Sequence, residues 1–164
     1  MSFLLFVRLM VFGEEACLRM ERIRTLGLDD YDDLLALWRR SGLHSLKPEG
    51  RDSRQAMECQ LATGVQTILG LESEGRLIGA VVATHDSRKG WINRLVVDPD
   101  HHRCGCGARL VAGAERALRD QGIRVIAALV ESSNRASLAL FAELGYVDAE
   151  DGIHYLSKRE SDLV

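Results

Sequence analysis

One stretch of this chain holds residue types whose spacing points to chemistry. Residues 95–108 (LVVDPDHHRCGCGA) run from an apolar, strand-like segment through a turn holding Gly105 and Gly107 into a helix-forming segment. Glycines between a strand and a helix let backbone N–H groups approach a ligand closely, and a helix N-terminus carries about half a positive charge. The turn therefore reads as an anion cradle for a phosphate or pyrophosphate, with His102 and Arg103 adding local charge. The plainer alternative is that two glycines merely make a connection. Other phosphate loops fit worse: the Gly-Lys-Ser/Thr ending of a P-loop is absent, and the dinucleotide fingerprint needs three spaced glycines early in a βαβ unit. His101, His102, Cys104 and Cys106 are types that zinc favours. They crowd into one turn with no second ligand pair, so a zinc or redox module is the weaker reading and no metal is expected.

The elements that must position this turn follow from periodicity. From Met20 onward the chain alternates strand-like runs with amphipathic helices, an α/β pattern. Residues 20–25 alternate apolar and charged. A helix follows, with Asp29 or Asp30 as its cap, a stripe of Tyr31, Leu34, Leu35 and Trp38, and an end at Gly42. Asp52 or Ser53 caps a second helix that runs to about Thr63. Residues 66–72 and 76–84 form a hairpin around Glu74-Gly75. Residues 90–97 make a further strand, stopped by Asp98-Pro99. A helix from about Gly107 ends at Gln121-Gly122, and residues 123–130 form a strand apolar enough to be covered on both faces. A last helix spans about Asn134 to Leu144, with terminal strands at residues 146–147 and 153–156.

The 164 residues fit one domain, with 46% hydrophobic and 27% charged residues as in ordinary globular chains. A net charge of -3 lacks the footprint of a nucleic-acid binder. Cys17, Cys59, Cys104 and Cys106 do not make a disulfide framework and are expected to be reduced thiols in a cytoplasmic protein. The apolar start, residues 1–12, is broken by Arg8 and is far shorter than the roughly 20 residues that span a bilayer. Residues 1–19 are read as an extension or an extra strand, and residues 20–164 as the domain.

Two blocks in order resemble the GNAT superfamily of acyl-CoA-dependent N-acyltransferases. His102, Arg103, Cys104, Gly105, Cys106 and Gly107 match its Gln/Arg-x-x-Gly-x-Gly/Ala pyrophosphate loop, with histidine in the first place; a frame shifted by one begins at Arg103 and ends at Ala108. Residues 131–146 (ESSNRASLALFAELGY) resemble its second block, with Asn134 and Ser137 at the matching positions. The resemblance covers about residues 20–156. It implies a mixed, mostly antiparallel sheet flanked by about four helices, acetyl-CoA as co-substrate, and transfer of an acetyl group to an amine by direct attack.

It further implies that Leu95, Val96 and Val97 lie on a splayed strand whose backbone at Leu95 and Val97 holds the acyl carbonyl and the pantetheine amides. Asn134, Ser137 and Phe141 would line the pantetheine arm. Many members use a tyrosine at the position of Phe141 to protonate the departing thiolate; here either no donor is needed or Ser137, Tyr155 or water is the candidate substitute. A base is equally open, with His44, His85 and Asp86 nearest the expected cleft. Residues 41–53 would lie over the acceptor. Charges in a glycine-flanked loop are often functional, so Asp52 is read as a partner for an ammonium and Arg51 for a carboxylate, against the plainer reading that Asp52 is a helix cap. A binding domain without catalysis is the competing reading, and a homodimer is left open.

Overall fold

The computed structural model describes residues 21–148; the proposed extension, Tyr155 and the terminal strand at 153–156 lie outside them. Five strands form one sheet in the order β1(Arg22–Thr25), β2(Gln66–Ser73), β3(Arg76–His85), β4(Gly90–Val97), β5(Ile126–Ala128). The first three junctions are antiparallel and β4 pairs β5 in parallel. Four α-helices complete the fold: α1(Tyr31–Arg40), α2(Arg54–Ala62), α3(Cys106–Asp120) and α4(Arg135–Glu143).

Strand alternation splits the core in two. Leu69, Leu71, Ile78, Val81 and Ala83 face α3, joined by Leu110, Val111, Ala114, Leu118 and Phe141. Ile68, Leu77, Ala80 and Val82 point the other way and pack with Leu34, Leu37 and Trp38 of α1 and Met57 of α2. The sheet is thus a middle layer between two helix layers.

On β4 this alternation breaks. Ile92 faces α3, yet Val96, an even number of residues on, faces α1. The register with β3 slips between Val82↔Asn93 and Ala80↔Val96, and Arg94 has φ +48°. A β-bulge at Arg94 accounts for all three facts, since one extra residue flips every side chain beyond it.

Several sequence expectations need correction. Residues 123–130 are not a strand covered on both faces: the ladder is three half-buried residues, and Val125 and Leu129 are 54% and 55% exposed. An edge strand needs a covering layer on only part of its length. Residues 146–147 form no strand; the Tyr146 N–H closes the end of α4 by donating to the Phe141 carbonyl, and Val147 is exposed. Asp30 precedes α1 without capping it, because its carboxylate accepts instead from the Gly27 N–H and pairs with Arg24. Ser53, not Asp52, caps α2, accepting from the Ala56 N–H at 3.2 Å.

Candidate active site

The turn before α3 is built from the Asp98-Pro99 stop. The Asp98 side chain accepts from the Asp100 N–H, and a single 3-10 turn over Pro99–His101 swings the chain toward the head of α3. Arg103 and Gly105 both take left-handed backbone conformations, φ +63° and +75°. Gly105 is the N-terminal flanking residue of α3 and offers no side chain to cap it. From Arg103 to Ala108 no backbone N–H donates to an acceptor among the described residues, the first helical bond being Arg109 N–H to the Gly105 carbonyl at 3.1 Å. Six consecutive donors beside two left-handed residues at a helix head are the kind of backbone that anion sites are built from.

Around them, His102, Arg103 and Cys104 are exposed, Gly107 and Ala108 half-buried, and Cys106 buried. A His102 ring nitrogen lies 3.0 Å from the Val97 carbonyl oxygen and so fixes the turn against the end of β4. Burial, then the charge of Glu21, pushes the Cys106 thiol up, which keeps it neutral and packed. No group of three or more His, Cys, Asp or Glu is gathered in metal-binding geometry among the described residues.

Next to the turn, β4 and β5 part company. They pair only through Gly90, Trp91 and Ile92. Because the Asp98 N–H points to the Ile78 carbonyl on β3, alternation turns the backbone of Val97 and Leu95 to the other side, where β5 no longer reaches. Leu95 and Val97 therefore face an edge that β5 leaves open, although the Val97 carbonyl there is taken by the His102 ring and the Ser41 hydroxyl, while Val96 pairs with Ala80 of β3.

Beside the start of α3 lies α4, whose Leu140 stands 3.1 Å from where a Cβ at Gly107 would be. Asn134 caps α4, its side-chain oxygen accepting from the Ser137 N–H at 3.0 Å, and Ser137 is half-buried in the first turn. Phe141 is 7% exposed and meets Tyr146 edge to face, with centroids 5.0 Å apart. The Tyr146 hydroxyl donates to Glu115, and burial, with that bond, raises its pKa well above the usual tyrosine range. That phenol holds its proton.

On the opposite face a small cleft of about 30 Å³ is lined by Trp38, Asp52, Met57, Gln60, Gln66, Ile68, Val82 and Arg94. The bulge sends Arg94 into it. One guanidinium nitrogen lies 2.8 Å from Asp52 Oδ1, and the guanidinium carbon stands 5.2 Å from the centroid of Trp38. Asp52 Oδ2 accepts from the Lys47 N–H at 2.7 Å, with Arg51 Nε 4.0 Å away. Asp52 is thus brought into the cleft; Arg51 flanks it with its own guanidinium on the Ser45 carbonyl.

His85 and Asp86 sit at the other end of β4. They organise the β3–β4 turn, His85 accepting from the Ser87 N–H and Asp86 from Arg88 and Lys89 N–H groups. His44 is exposed in the turn after α1. Arg94, Trp38, Gln60 and Gln66 were missed by sequence reasoning. The available signal was an arginine inside an otherwise apolar strand, GWINRLVV, and only a bulge explains how it is accommodated.

With this geometry in view, the chain belongs to the Acetyltransferase (GNAT) family, whose profile matches residues 31–146. Acetyltransferases of Sodalis glossinidius and Photorhabdus laumondii are each 28% identical over 137 residues, covering 84% of this chain and 94% of theirs. The fold is similar to that of the PaiA N-acetyltransferase of Thermoplasma acidophilum solved with coenzyme A, at TM-score 0.67 and 20% identity over 76% of this chain and 88% of that one. It is also similar to AAC(6')-Iy bound to a bisubstrate analogue, at TM-score 0.70 and 18% identity over 85% and 99% of the two chains. No helix among the described residues is long and apolar enough to cross a membrane.

Proposed function

We propose that this chain is an N-acetyltransferase that binds acetyl-CoA at the Arg103 to Ala108 turn and transfers its acetyl group to an amine entering from the α1–α2 side. The run of six unclaimed N–H groups at the head of α3 carries this reading. It fits a pyrophosphate without a basic cluster, which a chain of net charge -3 does not need to supply. Both PaiA and AAC(6')-Iy were solved with a coenzyme A moiety bound.

Acetyl-CoA supplies the acetyl thioester. The free edge of β4 offers backbone N–H groups at Leu95 and Val97 to an acyl oxygen that gains negative charge as the amine attacks. The C–N bond forms, the C–S bond breaks, and the amine's extra proton passes to solvent or to a polar side chain. His44, His85 and Asp86 are the proposed bases and act through water. Ser137 and Tyr155 are the proposed donors to the thiolate, which with a thiol pKa of about 8.5 needs modest help. Asn134 keeps its amide nitrogen for the pantetheine arm, along which Phe141 packs. A cytoplasmic location fits the unbridged Cys59, Cys104 and Cys106.

A rise in melting temperature with acetyl-CoA, and free thiol release when amines are added, are the expected results. No stabilisation by millimolar acetyl-CoA would overturn the reading. The buried, hydroxyl-free Phe141 favours a second reading, a binding domain without catalysis; stabilisation with no thiol release for any amine would select it. Ser137→Ala is expected to lower kcat about tenfold with little change in KM for acetyl-CoA. An unchanged kcat would remove Ser137 from the chemistry.

A further inference from the structure

The cleft between α1, α2 and β4 holds two buried donors that no group among the described residues satisfies. Arg94 uses one guanidinium nitrogen on Asp52, while its other terminal nitrogen is buried without a partner. Trp38, only 5% exposed, buries its indole N–H equally unpartnered. Both residues line the same cleft, and the guanidinium lies over the indole ring. Buried polar groups are nearly always bonded, so a pair of neighbouring orphans on one cavity asks for an external acceptor.

The charges decide what kind. Both oxygens of Asp52, the one carboxylate on the cleft, are engaged, Oδ1 by Arg94 and Oδ2 by the Lys47 N–H with Arg51 close by. An ammonium entering here finds no free anion and two arginines. A carboxylate finds a charged donor and a neutral one on the same cleft, beside Gln60 and Gln66, whose side-chain amides already donate to the Arg51 carbonyl and to Gln60 Oε1. The remaining walls, Met57, Ile68 and Val82, exclude water and strengthen the contact. The left-handed backbone at Arg94, which disfavours a side chain, aims this residue inward from the position next to Leu95. Arg94 thus joins the cleft to β4 one residue before Leu95.

We infer that the acceptor's own carboxylate docks against Arg94 and Trp38, so that the amine acetylated belongs to an amino acid or a similarly small carboxylated amine. The inference rests on the acetyl transfer proposed above and reverses the expectation that Asp52 holds an ammonium. Matched pairs of acceptors, amino acids and their carboxamides, assayed for thiol release from acetyl-CoA, test it directly. The carboxylates should show at least a tenfold higher kcat/KM. Arg94→Gln should erase that preference. Trp38→Phe, which keeps the ring under the guanidinium and removes only the N–H, should cut it several-fold, and remains informative if Arg94→Gln fails to fold with Asp52 unpaired. Equal or faster turnover of the carboxamides, or a preference untouched by Trp38→Phe, would overturn the inference. If no amine is turned over, the catalytic reading fails. Calorimetric titration of the CoA-saturated protein with an N-acetyl amino acid against its carboxamide then judges the cleft alone: binding of the carboxylate only supports it, and equal or absent binding refutes it.

Discussion

At the scale of single residues, Gly107 is the position in the turn where bulk and charge can be tested separately. A Cβ there would meet only Leu140 Cδ2 at 3.1 Å, the far end of a flexible side chain. Gly107→Ala should therefore fold and bind acetyl-CoA with a loss of no more than a few-fold. Gly107→Asp is different, because a carboxylate in the first turn of α3 competes for the same N–H groups and repels phosphate. Loss of acetyl-CoA affinity by about a hundredfold or more, read by calorimetry, is expected; normal binding would show that the turn is not the phosphate site. Phe141 illustrates the opposite kind of residue. With Tyr146 against its edge and the α3 face of the core around it, Phe141→Ala should cost about 3–5 kcal/mol of stability by urea unfolding.

At the scale of elements, α4 hangs from the core by a single buried side chain, Phe141. Its start depends on Asn134, so Asn134→Ala should cost about 1 kcal/mol of stability, and hydrogen exchange should quicken first at the Ser137 amide. Unchanged protection there would mean that the cap does not hold the helix. Most of this element was legible in the sequence, since Asn134 and Gly145 bracket it with opposite signals. The α3 turn was legible for the same reason, glycines between a strand and an amphipathic stripe.

What could not be read was β4. An apolar run with one arginine looks like a regular strand, and a bulge has no residue signature of its own, so the change of face at Arg94 and the cleft it creates were invisible. The ending of β5 was hidden too. Apolar Val125 and Leu129 look like core, yet the strand stops pairing at Ala128 and leaves both exposed.

At the scale of the whole molecule, ion pairs tether both ends of α1 to the sheet and thereby hold the roof of the Trp38 cleft. At the entry, Arg24 bridges Asp30 and Glu72 of β2, each at 2.6 Å, and its hydrogen bonds hold both carboxyls below their usual range. At the exit, Arg40 reaches Asp98 at 2.7 Å and Arg76 adds a contact at 3.0 Å. Burial opposes the charged form of Asp98, but the Arg40 bond, the Asp100 N–H and the charge of Arg76 outweigh it and keep this carboxyl low as well. A carboxyl whose folded pKa lies below its unfolded value of about 4 binds fewer protons in the native state. Its stabilisation is present above that unfolded pKa and is lost as pH falls through the folded one. The melting temperature should accordingly hold from pH 7 to about 5 and drop steeply below about 4. Asp98→Asn keeps the side-chain oxygen that caps the turn, removes the charge, and puts an amide NH2 where Oδ2 accepted from Arg40 and Arg76. Because Arg40 and Arg76 are 30% and 59% exposed, solvent screens part of the loss, and about 1–2 kcal/mol at pH 7 is expected rather than the 3–5 kcal/mol of a fully buried pair. The variant's acid slope should be shallower than that of the parent protein. Parallel slopes in the two proteins would mean that Asp98 is not among the carboxylates whose protonation unfolds the chain, leaving the Arg24 cluster to carry the acid transition.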